Sequence, residues 1–151
     1  MIFDLYSVVA SVSLFFFCWV SVFLLHEFFH CLASRVHAFF SGGSYRRGLV
    51  YIDFDGFSMR SSVDGSGFSY LAGGLFSGLV FLFVGLLFFG LCVSYCFIFM
   101  LVGFINVCYG FFELVYNDRI GSVFYLFGRY AVYVGSALMF AALFWALTHY
   151  L

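Results

Sequence analysis

Residues 65–112 read GSGFSYLAGGLFSGLVFLFVGLLFFGLCVSYCFIFMLVGFINVCYGFF, without one charged side chain. As a single helix rising 1.5 Å per residue, this stretch would be about 72 Å long, more than twice the roughly 30 Å of a bilayer's hydrocarbon core. It must fold back on itself. The turn is expected at Gly90-Leu91-Cys92-Val93-Ser94, leaving helices at about 67–90 and 95–117. Upstream, Leu5 to Leu25 carries no charge and the apolar character continues past His26 to Val36, giving a first helix at about 5–36. Downstream, a last helix is expected at about 123–147. The expected fold is an all-α integral membrane protein with four transmembrane helices, forming a single membrane-embedded domain over residues 1–151.

Composition agrees. The chain is 66% hydrophobic and 26% aromatic, with only 9% charged residues, whereas soluble domains carry about a quarter. That excludes a soluble globular domain, and the hydrophobicity excludes disorder. All six basic residues are Arg, and Lys, Pro and Gln are absent. Such a bias reflects the base composition of the gene rather than chemistry. It makes each polar residue inside the membrane worth explaining.

The segment between the first two helices differs in character. Leu49-Val50-Tyr51-Ile52-Asp53-Phe54-Asp55 tends to alternate, and Asp55-Gly56 and Asp64-Gly65 are turn signals. A small β-hairpin-like insertion is expected at about 45–62. Backbone of that kind is tolerated at membrane depth only under protein cover or beside water.

Charge placement suggests an orientation. Arg35, Arg46, Arg47 and Arg60 follow the first helix, and Arg119 and Arg129 follow the third. With four spans all six face one side, which the positive-inside rule makes cytoplasmic, and both termini face the other. The first helix lacks a basic n-region, and a cut at Ala33-Ser34 would fall just beyond the motif described next, so it is expected to stay in the protein.

The residues that carry chemistry are His26-Glu27-Phe28-Phe29-His30. Two His residues four apart on a helix project from one face and can share a metal ion, with Glu27 beside them to take a proton from water. Polar glue between helices is the bland alternative, but it does not require a carboxylate, which is expensive to bury in lipid. A catalytic zinc takes three protein ligands and keeps a position open. Asp118, Glu113, His37 and His149 are the candidates for the third. Depth favours Asp118, at the matching end of the third helix. Glu113 lies about 7.5 Å further into that helix and is expected to serve a structural or supporting role. His37 has the wrong spacing, and His149 belongs to the opposite face.

These parts, in this order, resemble the site-2 protease family of intramembrane zinc metalloproteases. The His-Glu-x-x-His motif is followed by a short strand-bearing segment, then by a Gly-bearing helix start at Leu71-Ala72-Gly73-Gly74. A later helix carries Asn106 and then Asp118. The likeness covers roughly residues 5–120. It departs in the second motif, which has no Pro and where Arg119 follows Asp118. The resemblance implies a Zn2+ ion held by His26, His30 and Asp118, with Glu27 as general base. It implies hydrolysis of peptide bonds in membrane-spanning or membrane-anchored protein substrates. Asn106, with Asn117 as rival, is the expected substrate contact, and Tyr51 and Ile52 lie on the strand expected to receive an extended substrate.

Two other readings compete. One is an inactive family member acting as a membrane scaffold or chaperone. The other is a small redox-complex subunit with His-ligated haem, which asks for histidines facing each other from different helices. Cys18, Cys31, Cys92, Cys96 and Cys108 form no Cys-x-x-Cys pair and read as small apolar packing. Gly73, Gly74, Gly78 and Gly85 read as sites of close helix approach. A net charge of −1 gives no reason to expect nucleic acid. Homo-oligomerisation is left open.

Overall fold

A backbone that spans lipid must satisfy its own N–H and C=O groups, and a helix does so within one segment. The computed structural model describes residues 5–41, 67–89, 93–116 and 122–150. They form α1 (Leu5–Phe40), α2 (Gly67–Phe88), α3 (Val93–Tyr116) and α4 (Val123–Tyr150). Each contains a stretch long and apolar enough to cross a membrane: Tyr6–Phe40, Gly67–Phe88, Tyr95–Tyr116 and Tyr125–Trp145. By length and composition this is a multi-pass membrane protein. The insertion expected at about 45–62, with Tyr51 and Ile52, lies outside the described residues, and among the described residues there is no strand.

Helix ends follow local chemistry rather than hydropathy. α1 runs to Phe40 rather than Val36, because no Gly or Pro interrupts it before Gly42. At its end the Ser41 N–H and hydroxyl both donate to the His37 carbonyl, at 2.9 and 2.8 Å. At the start of α4, Ser122 is the N-cap. Its Oγ accepts from the Tyr125 N–H at 3.1 Å, satisfying one of the orphan donors of the first turn.

α2 and α3 are an antiparallel pair whose backbones touch. A side chain on Gly74 would strike the backbone of Gly110 and the Asn106 carbonyl. One on Gly103 would come within 2.7 Å of the Gly78 carbonyl and 2.8 Å of the Leu82 N–H. Lipid provides no hydrophobic drive for helix pairing, so close van der Waals contact between small residues does the work. The seam also carries one polar link. Asn106 donates through Nδ2 to Ser77 Oγ, and Ser77 donates to the Gly73 carbonyl.

α1 lies across this pair, with Cys18 and Val22 packed against Phe81 of α2 and against Ile98 and Val102 of α3. α4 closes the other side. Tyr125 packs with Tyr109 and Phe112 of α3, and the Tyr133 ring meets Trp19 of α1 at 5.7 Å. Cys18, Cys31 and Cys96 are buried thiols in these interfaces, in keeping with a packing role.

Candidate metal centre

Two histidines four apart on α1 stand one above the other, and in a dry interior each polar nitrogen needs a partner. His26 and His30 are 3% and 4% exposed, and their ring centroids lie 4.5 Å apart. Their Nε2 atoms approach to 2.8 Å. Glu113 of α3, 8% exposed, completes the group. Its Oε2 lies 3.0 Å from Nε2 of His26 and 3.3 Å from Nε2 of His30. These three residues form a buried cluster with the donor types and spacing of a metal site.

The ring of His30 is locked from behind. Its Nδ1 lies 2.5 Å from the Ser69 carbonyl oxygen at the start of α2. A carbonyl only accepts, so Nδ1 carries a proton, and in the neutral form of the ring the lone pair is on Nε2. This is the usual support for a metal-binding histidine, whose second nitrogen is held by a backbone carbonyl or a carboxylate. Gly73 makes room for it, since any side chain there would overlap the imidazole. The Asn106–Ser77–Gly73 string therefore pins the helical turn against which His30 rests.

The two Nε2 atoms are within hydrogen-bonding distance of each other and Glu113 Oε2 within ion-pair distance of both, but polar atoms of the group stay without a hydrogen bond. Glu113 Oε2, His26 Nδ1 and Glu27 Oε2 are buried atoms with no hydrogen-bond partner among the described residues. Oε2 of Glu113 is close to two imidazole nitrogens yet makes no aligned hydrogen bond to either. Ligand atoms around a tetrahedral zinc, with bonds of about 2.0–2.1 Å, stand roughly 3.3 Å apart. The separations of 2.8, 3.0 and 3.3 Å approach that spacing, and two imidazoles plus one carboxylate is a catalytic zinc donor set. The residues fit a divalent metal ion.

Asp118, the third ligand expected from depth, lies outside the described residues, as does Asn117. Glu113, expected in a supporting role, is the carboxylate that the structure brings to the histidines. A signal for it was present in the sequence. Asn106, Tyr109 and Glu113 recur at helical spacing on one face of α3, and an ionised residue at membrane depth needs a partner. Asn106 sits on that face but is not with the cluster. It is buried against Ser77, about 10 Å along α3 from Glu113. His37 is exposed on α1 beyond the site. His149 is at the far end of α4, about 36 Å along the helix from Tyr125.

α4 brings Tyr125, Arg129 and Tyr133 to the cluster's edge, none of which the sequence placed at the site. Tyr125 OH lies 3.5 Å from Glu113 Oε1 and 3.0 Å from Tyr109 OH. The Tyr109 ring lies 5.6 Å from His26 and 5.1 Å from Tyr133. The Arg129 guanidinium stands 5.5 Å from the Tyr109 centroid, and its Nε donates to Tyr133 OH at 3.2 Å.

The chain matches no protein-family model, no curated protein and no solved structure.

Proposed function

We propose that the chain is an intramembrane zinc metalloprotease, as its resemblance to the site-2 protease family implies, acting on membrane-spanning or membrane-anchored proteins. One observation carries the reading. The donor atoms of His26, His30 and Glu113 meet in a buried cluster between α1 and α3, and Glu27, the motif's expected general base, has a buried carboxylate oxygen with no hydrogen-bond partner among the described residues.

Zinc held by His26, His30 and Glu113 would act as a Lewis acid, making a water more acidic and polarising a peptide carbonyl. Glu27 takes a proton from the attacking water as its oxygen bonds to the scissile carbonyl carbon. Glu27 then gives that proton to the amide nitrogen as the C–N bond breaks, so the carboxylate finishes as it began. His30 is kept in the right tautomer by Ser69 and in the right place by Gly73. The helices exclude bulk water, which strengthens each charge interaction.

A helical substrate hides its amides, so it must unwind. The strand expected around Leu49–Phe54, with Tyr51 and Ile52, is proposed to pair with the unwound segment. The arginine-bearing side of the molecule, near which the cluster lies, is proposed to be cytoplasmic.

The competing redox reading meets a geometric obstacle. Two rings 4.5 Å apart on one helix leave no space for a porphyrin between them. The scaffold reading draws support from the deep burial of the cluster, and cleavage separates it from the protease. Purified full-length protein, incubated with a panel of single-span substrates, is expected to cleave at least one. A zinc chelator or Glu27→Gln is expected to abolish cleavage, and the Gln variant to keep its zinc. Wild-type protein that binds no transition metal would overturn the proposal. Wild-type protein that binds zinc and cleaves nothing would leave the scaffold.

A further inference from the structure

The carboxylate of Glu113 has two oxygens and the histidines face only one. Oε2 lies toward His26 and His30, while Oε1 lies 3.5 Å from the Tyr125 hydroxyl of α4. An ionised carboxylate only accepts, so Tyr125 spends its single proton on Oε1. Tyr109, 3.0 Å from Tyr125, is left to donate to the Tyr125 oxygen. The direction of the string, Tyr109 to Tyr125 to Glu113, is fixed by the carboxylate at its end. The separation from Oε1 is long for an O–H···O bond, but Tyr125 is the one hydroxyl brought to Oε1 among the described residues.

Several features hold this hydroxyl in place. Tyr125 is 8% exposed and Tyr109 4%, so water competes little for either. Tyr125 lies in the first turn of α4, which Ser122 caps, and its ring rests on Phe112 at 5.2 Å. One turn further on, Arg129 braces Tyr109 and Tyr133 from the far side.

We propose that Tyr125 is a positioning residue for the metal centre: its hydroxyl, oriented by Tyr109, occupies Oε1 of Glu113 so that Oε2 alone faces His26 and His30. The inference rests on the metal-centre reading above and adds to it that the fourth helix, beyond the residues 5–120 that the resemblance covers, completes the site. Groups that orient metal ligands through a hydrogen bond are typically worth 10–100-fold in metal affinity.

The test uses the full chain in detergent, with zinc affinity measured by competition against a chromophoric chelator and the visible spectrum recorded with Co2+ in place of zinc. Tyr125→Phe removes only the hydroxyl. It is expected to weaken zinc binding at least tenfold and to alter the Co2+ absorption bands, with little change in the unfolding midpoint of metal-free protein. Tyr109→Phe is expected to give a smaller loss in the same direction. Tyr130→Phe, on an exposed face of α4, is expected to bind as wild type. Wild-type affinity and spectrum in Tyr125→Phe would overturn the inference and leave the metal centre standing. If that variant does not fold, unchanged binding in Tyr109→Phe overturns it instead. Wild-type protein that takes up neither ion removes the metal centre, and the inference with it.

Discussion

Gly73 of α2 lies so close against the His30 ring that one added methyl group would overlap Cε1, Nε2 and Cδ2 of the imidazole. Nε2 is the atom that would face the proposed metal, so packing and coordination would meet at a single carbon. Gly73→Ala is expected to weaken zinc binding by at least tenfold, because the ring must leave the position set by Ser69. Overpacking of this kind costs about 1–3 kcal/mol, which outweighs the roughly 1 kcal/mol by which Ala is the better helix former. Chelator competition and unfolding of the metal-free protein would show both effects.

The identity of the third ligand is open to direct test. Glu113→Gln is expected to lower zinc occupancy sharply, since it replaces a charged donor facing two imidazoles. Asp118→Asn is expected to retain the metal. Metal analysis of the two purified variants decides, and the reverse result would return the role to Asp118.

Asn106 separates two roles that the sequence allows. Bound to Ser77 across the α2–α3 seam, it is expected to act as a tie between helices. Asn106→Ala should then lower stability by about 0.6–1.7 kcal/mol, the range of single polar contacts in a membrane bundle, and leave zinc content unchanged. A variant of unaltered stability that cleaves with a raised KM would point to substrate contact instead.

The glycine seam predicts unequal responses to the same substitution. Gly110→Ala places a methyl group 2.8 Å from the Leu75 N–H and 2.9 Å from the Gly74 Cα. It is expected to destabilise by about 1–3 kcal/mol. Gly135→Ala, where nothing lies within 4 Å, is expected to be neutral or slightly stabilising. Denaturant titration in mixed micelles would compare them.

Much of the helical framework was legible because lipid imposes a simple rule: long apolar runs must be helices, and a run of twice the membrane thickness must turn. The ends were less legible. Hydropathy falls at Val36, but α1 continues to Phe40. His26, His30 and Glu27 stood out because a helical spacing of four is written locally in the chain. Glu113 could not be ranked that way. Its place beside the histidines depends on how far α3 slides along α1, which is set by contacts between side chains distant in sequence. Tyr125 was hidden for another reason: with 11 Tyr residues, one more phenol carries no signal until its neighbours are known.

The contact between the α2 and α3 backbones also makes those two helices a single stiff plate. Ser69, Gly73 and Glu113 all ride on the plate, whereas His26 and His30 ride on α1. An ion shared by these residues, as proposed, would act as a rivet between two bodies, added to the apolar contacts of Cys18 and Val22 and the His30–Ser69 hydrogen bond that already hold α1 to the plate. Under that proposal the stability of the bundle would depend on free zinc: at a hundred times its Kd the ion would add about 2.7 kcal/mol to the folded state. If the proposed site is occupied by zinc, a shortage of the metal would leave a less stable protein in the membrane as well as an empty site.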